Sequence, residues 1–201
     1  VGGNGYRQQF VVVAVEDNTV IDITPTAGIY DDSSYGSSIA HHSGVTYTKT
    51  LNSGQCYYAA GTDDLSGTRI TARDCAKILV IAGHEGAQIP LGYGFVDHVE
   101  EQAMPTAYWG KNFIVTGSNS RNRDKYCITA LEDNCKVYIG NTYNTTLNAG
   151  ESQMYDFVSS SLVSAVYVKT TQPACCYTYI TGAEYHPTTA QSPPASPKSL
   201  W

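Results

Sequence analysis

The sequence predicts an all-β protein made of two tandem β-sandwich-like repeat units. The chain of 201 residues is rich in residues that favour strands and turns, with sixteen tyrosines and eighteen glycines. Short β-like runs follow one another, separated by turn residues at intervals of roughly 8–12 residues. Three sequence blocks also recur in the same order in the two halves of the chain. A propeller-like arrangement of β repeats is the alternative fold.

The internal repeat consists of three pairs of similar blocks. They are FVVVAVEDNTVIDITP (from Phe10) and YCITALEDNCKVYIGN (from Tyr126), TLNSG (from Thr50) and TLNAG (from Thr146), and ITARDCAKILVIAG (to Gly83) and KTTQPACCYTYITG (to Gly182). The members of these pairs lie 116, 96 and 99 residues apart. The smaller second separation predicts a long insertion in the first copy, at residues 26–46.

The repeat divides the chain into two units and a tail. We predict a first β unit over residues 1–105, which contains the insertion at 26–46, and a second β unit over residues 106–185. Residues 186–201 are rich in Pro, Ser and Thr, which predicts a linker or tail instead of a packed element. The insertion is expected on the surface, where long connections are more often functional than short ones.

Local patterns predict the elements of each unit. Residues 10–15 and 77–82 are continuous apolar runs, which predicts central strands buried on both faces. Glu-Asp-Asn at 16–18 and again at 132–134 predicts two tight hairpin turns, because Asn tolerates the left-handed region and Asp accepts hydrogen bonds from backbone N–H groups. One short helical segment is predicted around residues 97–103.

Charge and hydropathy exclude two classes of partner. The formal net charge is −6 and the isoelectric point is near 5.2, so the chain has no basic field that would attract nucleic acid. The sequence contains no run of about 18 apolar residues, so no membrane-spanning segment is predicted.

The cysteines indicate an oxidising compartment. Six are present, an even number without the C-x2-C spacing of a zinc site, which favours a disulfide-bonded, secreted protein. The sequon Asn144-Thr145-Thr146 agrees with secretion and predicts an N-glycan in a loop.

Strand parity restricts how the cysteines pair. If the second Glu-Asp-Asn is a two-residue hairpin loop, Cys127 and Cys135 point to opposite faces of their sheet. Cys175 and Cys176 are neighbours on a strand, so they also point to opposite faces. The predicted disulfides are Cys56–Cys75 and one bond from each of Cys127 and Cys135 to Cys175 or Cys176. The alternative is that some of these thiols are reduced and buried.

No arrangement of polar residues predicts catalysis. The candidate acid–base groups are His84-Glu85, Asp97-His98, Glu100 and Glu101. No nucleophile lies in a recognisable elbow, and no carboxylate pair can be assigned by spacing as in a glycosidase. We interpret these residues as structural loop anchors and predict that the chain is not an enzyme.

No metal or cofactor is predicted. His41 and His42 are adjacent in the chain, whereas the histidine ligands of helical metal motifs lie one turn apart. The pair Asp31-Asp32 lacks the alternating oxygen ligands of a calcium loop.

Two stretches resemble the N-terminal domain of the IgG Fc-binding protein family. The first is DLSGTRI at residues 64–70, followed by a hydrophobic strand and Gly83-His84; the second is DHVEEQ at residues 97–102, which runs on to WGKNF at residues 109–113. The likeness covers residues 10–182. It implies an extracellular protein in which such units accompany mucin-type and von Willebrand-type modules.

The chain departs from the family pattern at two positions. The resemblance implies one Cys shortly after the Gly-His and another directly before the Asp-His, and this chain has Gly86 and Val96 there. The loss of both suggests that the first copy lacks a disulfide that its relatives have.

The resemblance and the composition together favour a non-catalytic adhesion or structural module of a larger secreted protein in mucus, a surface coat or a fibre. A carbohydrate-binding module is the alternative, and a secreted hydrolase ranks last. The expected partner is an extracellular protein or a glycan, and other copies of the chain are possible partners in an assembly. The predicted binding residues all lie in the insertion: Tyr30, Asp31, Asp32, Tyr35, His41 and His42.

Overall fold

The computed structural model describes residues 5–31, 38–61, 63–89, 91, 96–118, 124–157 and 165–181. These residues form fourteen β-strands and two short 3-10 turns, and no α-helix occurs among them. The all-β prediction is confirmed. The chain divides into two compact units. The N-terminal unit is built on Gly2–Gly86 and Glu100–Ala103, and the C-terminal unit on Ala87–Val99 and Met104–Trp201. The predicted tail at 186–201 lies outside the described residues.

The first eight strands form two sheets. The strands are β1 Gln8–Ala14, β2 Thr19–Thr24, β3 Tyr30–Asp31, β4 Tyr47–Leu51, β5 Cys56–Gly61, β6 Arg69–Ala72, β7 Ile78–Ala87 and β8 Asp97–Gln102. One sheet has the order β3-β5-β1-β7-β8 and the other the order β4-β2-β6. A 3-10 turn at Arg73–Cys75 separates β6 from β7. Residues 97–102 are therefore a strand, and the predicted helical segment is wrong.

The remaining strands form a third sheet. They are β9 Gly110–Thr116, β10 Asp124–Ala130, β11 Cys135–Ile139, β12 Thr142–Leu147, β13 Ser152–Phe157 and β14 Ala165–Tyr179, with a 3-10 turn at Thr106–Tyr108 before β9. The sheet has the order β12-β11-β14-β10-β13, and β9 pairs with β14 outside this path.

The core of the N-terminal unit lies between its two sheets. Phe10, Val12 and Ala14 alternate along β1 and are buried, and Ile21 and Ile23 of β2 meet them from the other sheet. The side chains on the other face of β1 are only half-buried. In β7, the side chain of Ala82 is exposed. The prediction that both strands are buried on both faces is therefore wrong, although each lies between two neighbours in its sheet.

The two units share one strand order. In the C-terminal unit the order is β13-β10-β14-β11-β12. The N-terminal unit gives the matching order, β5-β1-β7 and β4-β2-β6, if β6 and β7 are taken as the two halves of one strand. The sequence repeat therefore corresponds to a repeated topology, and the 3-10 turn at Arg73–Cys75 is where the N-terminal copy splits into two sheets.

The pairing register corrects the alignment of the third repeat block. Ile78 pairs with Ala14, and Ala174 pairs with the equivalent Ala130, so the separation on this strand is 96 residues instead of 99. Ile70 pairs with the fifth residue of β2, and Val168 pairs with the fifth residue of β11. Ile70 and Val168 are therefore equivalent, and they lie 98 residues apart. The two extra residues of the first copy are accommodated at the 3-10 turn.

The Glu-Asp-Asn segments are corners between strands that do not pair with each other. Strand β9 pairs along one edge of β14, and β10 and β11 lie end to end along the other edge, both antiparallel to β14. The hairpin prediction is therefore wrong. Its residue chemistry is confirmed, since Asn18 and Asn134 have φ of 56° and 57°.

The same hydrogen bonds join each corner to a neighbouring turn, which follows β4 in the N-terminal unit and β12 in the C-terminal unit. Asp17 Oδ1 accepts a bond from Ser53 N at 3.0 Å, and Asp133 Oδ1 accepts one from Ala149 N at 3.0 Å. The next residue in each turn, Gly54 or Gly150, donates its N–H to the last carbonyl of β1 or β10. The repeated Glu-Asp-Asn therefore has a structural role in both units.

The insertion is partly built into the N-terminal unit. Ile29 is fully buried in the core, and the short strand that follows it pairs with β5 through Tyr30 and Ala60. The expectation of a surface insertion is wrong for this part. Residues 38–46 do carry exposed side chains, among them Ile39 and Val45.

Candidate functional site

Tyr30, in the insertion, packs against a charged residue. Its ring is half-buried and lies under the guanidinium carbon of Arg7, 4.9 Å from the ring centroid. This cation–π contact fixes the ring on the N-terminal unit. Of the other acidic and aromatic residues predicted nearby, Asp31 completes β3, while Asp32 and Tyr35 lie outside the described residues.

His41 belongs to an aromatic cluster. Its ring stacks on Tyr47, with 3.4 Å between the ring centroids and an angle of 4° between the planes. The hydroxyls of Tyr47 and Tyr57 lie 2.9 Å apart, within hydrogen-bond distance, and Lys49 Nζ lies 4.8 Å from the centroid of the Tyr57 ring. These contacts order the end of the insertion. His42, the next residue, is exposed.

The predicted binding residues do not converge on one site. The backbones at Ile29 and His41 are joined as a β-bridge, with Ile29 N donating to His41 O at 2.9 Å. The side chains of Tyr30 and His41 nevertheless have different contacts, since Tyr30 lies under Arg7 and His41 stacks on Tyr47.

The candidate acid–base residues lie on strands instead of loops. His84 is buried on β7, and its Nδ1 accepts a hydrogen bond from Gly86 N at 3.1 Å. Glu85 accepts one from the backbone N of Arg7 at 3.1 Å. Both side chains therefore take part in structural contacts of the strand. Asp97 and His98 open β8.

The absence of a side chain at Gly86 has a steric explanation. A Cβ at this position would lie 2.8 Å from the Tyr6 ring, so any side chain here, including the Cys expected from the family pattern, displaces that ring.

All six cysteines carry thiols in the structure, so it shows none of the predicted disulfides. Cys135 lies in the core with its sulfur 3.7 Å from the carbonyl of Gln172. That carbonyl is three residues from Cys175 along β14, about 10 Å of strand, which exceeds the reach of a disulfide. Cys127 pairs with Tyr177 and is therefore a diagonal neighbour of Cys175 on the same face. The register thus places Cys127 and Cys175 on the same face without a bond between them, and it separates Cys135 from its predicted partners.

A group of side chains on the C-terminal unit, all exposed except the half-buried Tyr138, was not predicted as a site. We call it the tyrosine face, and it consists of Asn112, Ile114, Tyr138, Tyr143, Tyr167 and Lys169. Tyr138 is directly opposite Tyr143 on one side and Lys169 on the other, and Lys169 is opposite Asn112. Directly opposed residues point to the same face of a sheet, so this row crosses four strands on one surface.

The tyrosine face is exposed but ordered. Ile114 is 68% exposed, Tyr143 54% and Tyr167 40%. Tyr167 donates its hydroxyl to Asn112 Oδ1 at 2.6 Å, and the Tyr138 and Tyr143 rings meet edge to face with centroids 5.9 Å apart. The residues between them in sequence, such as Val137 and Val168, are buried on the other side. The sheet therefore holds these side chains in a fixed pattern.

Asn144 lies at the margin of this surface. The register of β12 shifts between Thr145 and Tyr143, so Asn144 occupies a β-bulge. Its side chain is exposed on an outer strand of the sheet. The sequon was expected in a loop, and the structure places it on a strand. Whether it carries a glycan stays a prediction.

Two kinds of feature are absent from the residues that the structure describes. No group of three or more His, Cys, Asp or Glu side chains able to hold a metal occurs among the described residues. In the same part of the chain, no helix is long and apolar enough to cross a bilayer.

Comparison with known proteins identifies the family. No curated protein and no solved structure matched the chain. The family model described as IgGFc binding protein matches residues 1–197, which is nearly the whole chain. The chain therefore belongs to the IgGFc binding protein family.

Proposed function

We propose that this chain is a non-catalytic module of an extracellular protein, and that it serves adhesion or structural assembly by binding another extracellular protein through the tyrosine face. The observation that carries the proposal is the row of three tyrosines on a hydrogen-bonded sheet, of which Tyr143 and Tyr167 are exposed and Tyr138 is half-buried. The family, whose members are typically extracellular, supports the compartment.

Binding orders side chains at an interface, and this loss of entropy is small for tyrosine. A tyrosine has few rotatable bonds and a large amphipathic surface, so it gives much contact area for little loss of entropy. On this face Tyr167 is already tied to Asn112, and Tyr138 and Tyr143 already touch. Less freedom is therefore lost when a partner binds, and tyrosines are among the residues that most often dominate binding energy.

The test is a binding measurement with a double variant, Tyr143→Ser with Tyr167→Ser. Probes are an Fc fragment of IgG, since the family description names it, a purified mucin, and the chain itself, each immobilised for surface plasmon resonance. The native chain is expected to bind at least one probe, and the variant to bind it at least about tenfold more weakly.

Two matched controls separate this face from other surfaces. Tyr108→Ser removes an equally large tyrosine that is 76% exposed on the 3-10 turn before β9. His42→Ala removes an exposed residue of the insertion. Both are expected to leave binding unchanged. Equal binding by the double variant and the native chain would refute the proposal, and a loss with His42→Ala alone would return the site to the insertion.

Carbohydrate binding is the second candidate, because the same face combines exposed rings with polar groups. Sugars stack on flat aromatic surfaces, and Asn112 and Lys169 lie beside Tyr167 and Tyr138 to hydrogen-bond hydroxyl groups. A glycan array decides between the two. Binding to defined glycans that the double variant loses favours the lectin-like function, and a blank array with retained protein binding excludes it.

A further inference from the structure

One edge of the long strand β14 is covered by β9. The two strands are antiparallel, and Phe113 is opposite Val168 while Val115 is opposite Val166. Strand β9 is contributed by the segment directly before β10, the first strand of the repeat in this unit.

Strand β9 completes the core of the C-terminal unit. Val115 is buried in that core, and Phe113 packs against it. Val168 beneath them is fully buried, as is Thr170 two residues on. The outward residues of β9, such as Ile114, are exposed, so only the alternate apolar positions contribute to the core.

The equivalent edge in the N-terminal unit belongs to β6. Strand β6 pairs with β2 on one side and ends its sheet, and no other described strand pairs with it. Ile70 and Ala72, the counterparts of Val168 and Thr170, are packed against the core but only half-buried. Among the described residues, the edge of β6 thus lacks the neighbouring strand that β9 provides in the C-terminal unit.

Strand β6 is a short edge of four residues that begins with the charged Arg69, and it lacks the other usual protections of an exposed edge. Its residues are Arg69, Ile70, Thr71 and Ala72, with no proline, no lysine and no inward charge. Edge strands with unpaired N–H and C=O groups readily pair with further strands unless such features prevent it. Addition of a strand to a sheet edge is a common mode of peptide recognition.

We propose that the free edge of β6 is a strand-acceptor site, and that its occupant is an extended segment with the pattern of β9. The segment carries two apolar side chains at alternate positions. In the register of β9 the first lies opposite Ile70 and the second opposite Thr68, two residues earlier. This site differs from the tyrosine face in its unit and in its chemistry, since it uses backbone hydrogen bonds and core packing.

The experiment uses the full chain and a peptide of residues 109–117, WGKNFIVTG, with benzoylphenylalanine in place of Phe113. After irradiation, the cross-link is mapped by mass spectrometry. Attachment within β6 is the expected result, because Phe113 faces the residue equivalent to Ile70. Hydrogen exchange of the β6 amides that point away from β2 should be fast in the chain alone and slow when the peptide is bound.

Peptide variants provide the matched controls, so no variant of the chain itself needs to fold. A peptide with F113K and V115K should bind more than about tenfold more weakly, since both inward apolar side chains are lost, and one with I114K should bind as the parent does. Four results would overturn the proposal: no binding, equal binding by all peptides, cross-links to β14 instead of β6, or protection without peptide of the β6 amides that point away from β2. Dimerisation of the chain through β6 in place of peptide binding would also overturn it.

Discussion

Asp124 is a buried carboxylate at the start of β10, with only 1% of its surface exposed. Its oxygens accept hydrogen bonds from Ser118 N at 2.6 Å, and from Thr181 N and Oγ1 at 2.8 and 2.9 Å. A buried carboxylate is costly unless its oxygens are satisfied, and here three donors satisfy it. The side chain of Asp124 therefore links the segment that follows β9 to the segment that follows β14.

Removing this carboxylate should destabilise the C-terminal unit. Asp124→Ala leaves the N–H groups of Ser118 and Thr181 buried without their acceptor, and we expect a loss of about 3 kcal/mol in the free energy of unfolding, measured with urea. Asp156→Ala is the control, because Asp156 is largely exposed and its ion pair with Lys125 is a surface interaction. Similar losses in the two variants would contradict the role of Asp124.

A pair of tyrosines makes stability depend on alkaline pH. Tyr126 and Tyr155 stack with centroids 5.1 Å apart. Burial raises the pKa of Tyr126 to about 12, with a smaller contribution from Cys176, and burial likewise raises the pKa of Tyr155 to about 12. Because the folded pKa exceeds the ordinary value of 10.0, the contribution to stability is fully present below pH 10.0 and is lost as the pH rises to about 12.

The measurement is urea unfolding from pH 9 to about 12, combined with ultraviolet titration of the phenolates. Tyr155→Phe should flatten the decline in stability and remove one late-titrating phenol. It should not weaken the fold at neutral pH, because the Tyr155 hydroxyl is buried and no described residue hydrogen-bonds it. A pH dependence unchanged in this variant would show that other groups cause it.

At the scale of the elements, the corners are the most regular feature of the molecule. Gly54 and Gly150 hold the same position in the two units and have φ of 78° and 79°. Alanine in this region of the backbone is strained, so Gly150→Ala and Gly54→Ala should each cost about 1 kcal/mol of unfolding free energy.

Gly110→Ala is the control for the corner glycines. Gly110 lies on β9, and a Cβ there would meet only Phe113, at 3.9 Å. Its substitution should leave stability nearly unchanged in the same thermal or urea measurement. If Gly150→Ala is as harmless as Gly110→Ala, the corner does not need the left-handed conformation.

The elements also show what sequence patterns can and cannot predict. Glu-Asp-Asn predicted a turn with Asn in the left-handed region, which is a local property of residues 16–18 and 132–134. It could not predict whether the flanking strands pair with each other, because that depends on a third strand distant in sequence, β14. For the same reason, the apolar run of β7 predicted a strand but not how much of its second face is covered.

At the scale of the whole molecule, the two units have one topology and different surfaces. The sequence predicted a binding site in the insertion of the N-terminal unit, because this insertion is long and polar and long insertions are often functional. Part of it is used for packing, through the buried Ile29 and through His41, which stacks on Tyr47. The tyrosine face was missed because its members come from four strands, and no sequence interval brings them together. Alternation of Tyr138 and Tyr167 with buried valines was the available signal.

The cysteines provide a test for the molecule as a whole, because the sequence-based pairing and the structure differ. In the structure Cys56 and Cys75 are exposed, whereas burial raises the pKa of the Cys175 thiol and raises that of Cys176 to about 12. Thiolates are the reactive species, so alkylation of the native chain should label Cys56 and Cys75 first and the core thiols only after unfolding. Intact mass would show this. No label on an unfolded, unreduced chain would instead support three disulfides.

The short turn between β6 and β7 has a mechanical consequence. In the C-terminal unit a single strand of fifteen residues is bonded to both halves of the unit, so a pull that separates those halves must break rows of backbone hydrogen bonds. In the N-terminal unit the corresponding stretch is interrupted by three residues at Arg73–Cys75. Under tension, a chain is therefore expected to yield first at this turn, where no continuous strand joins the two sheets.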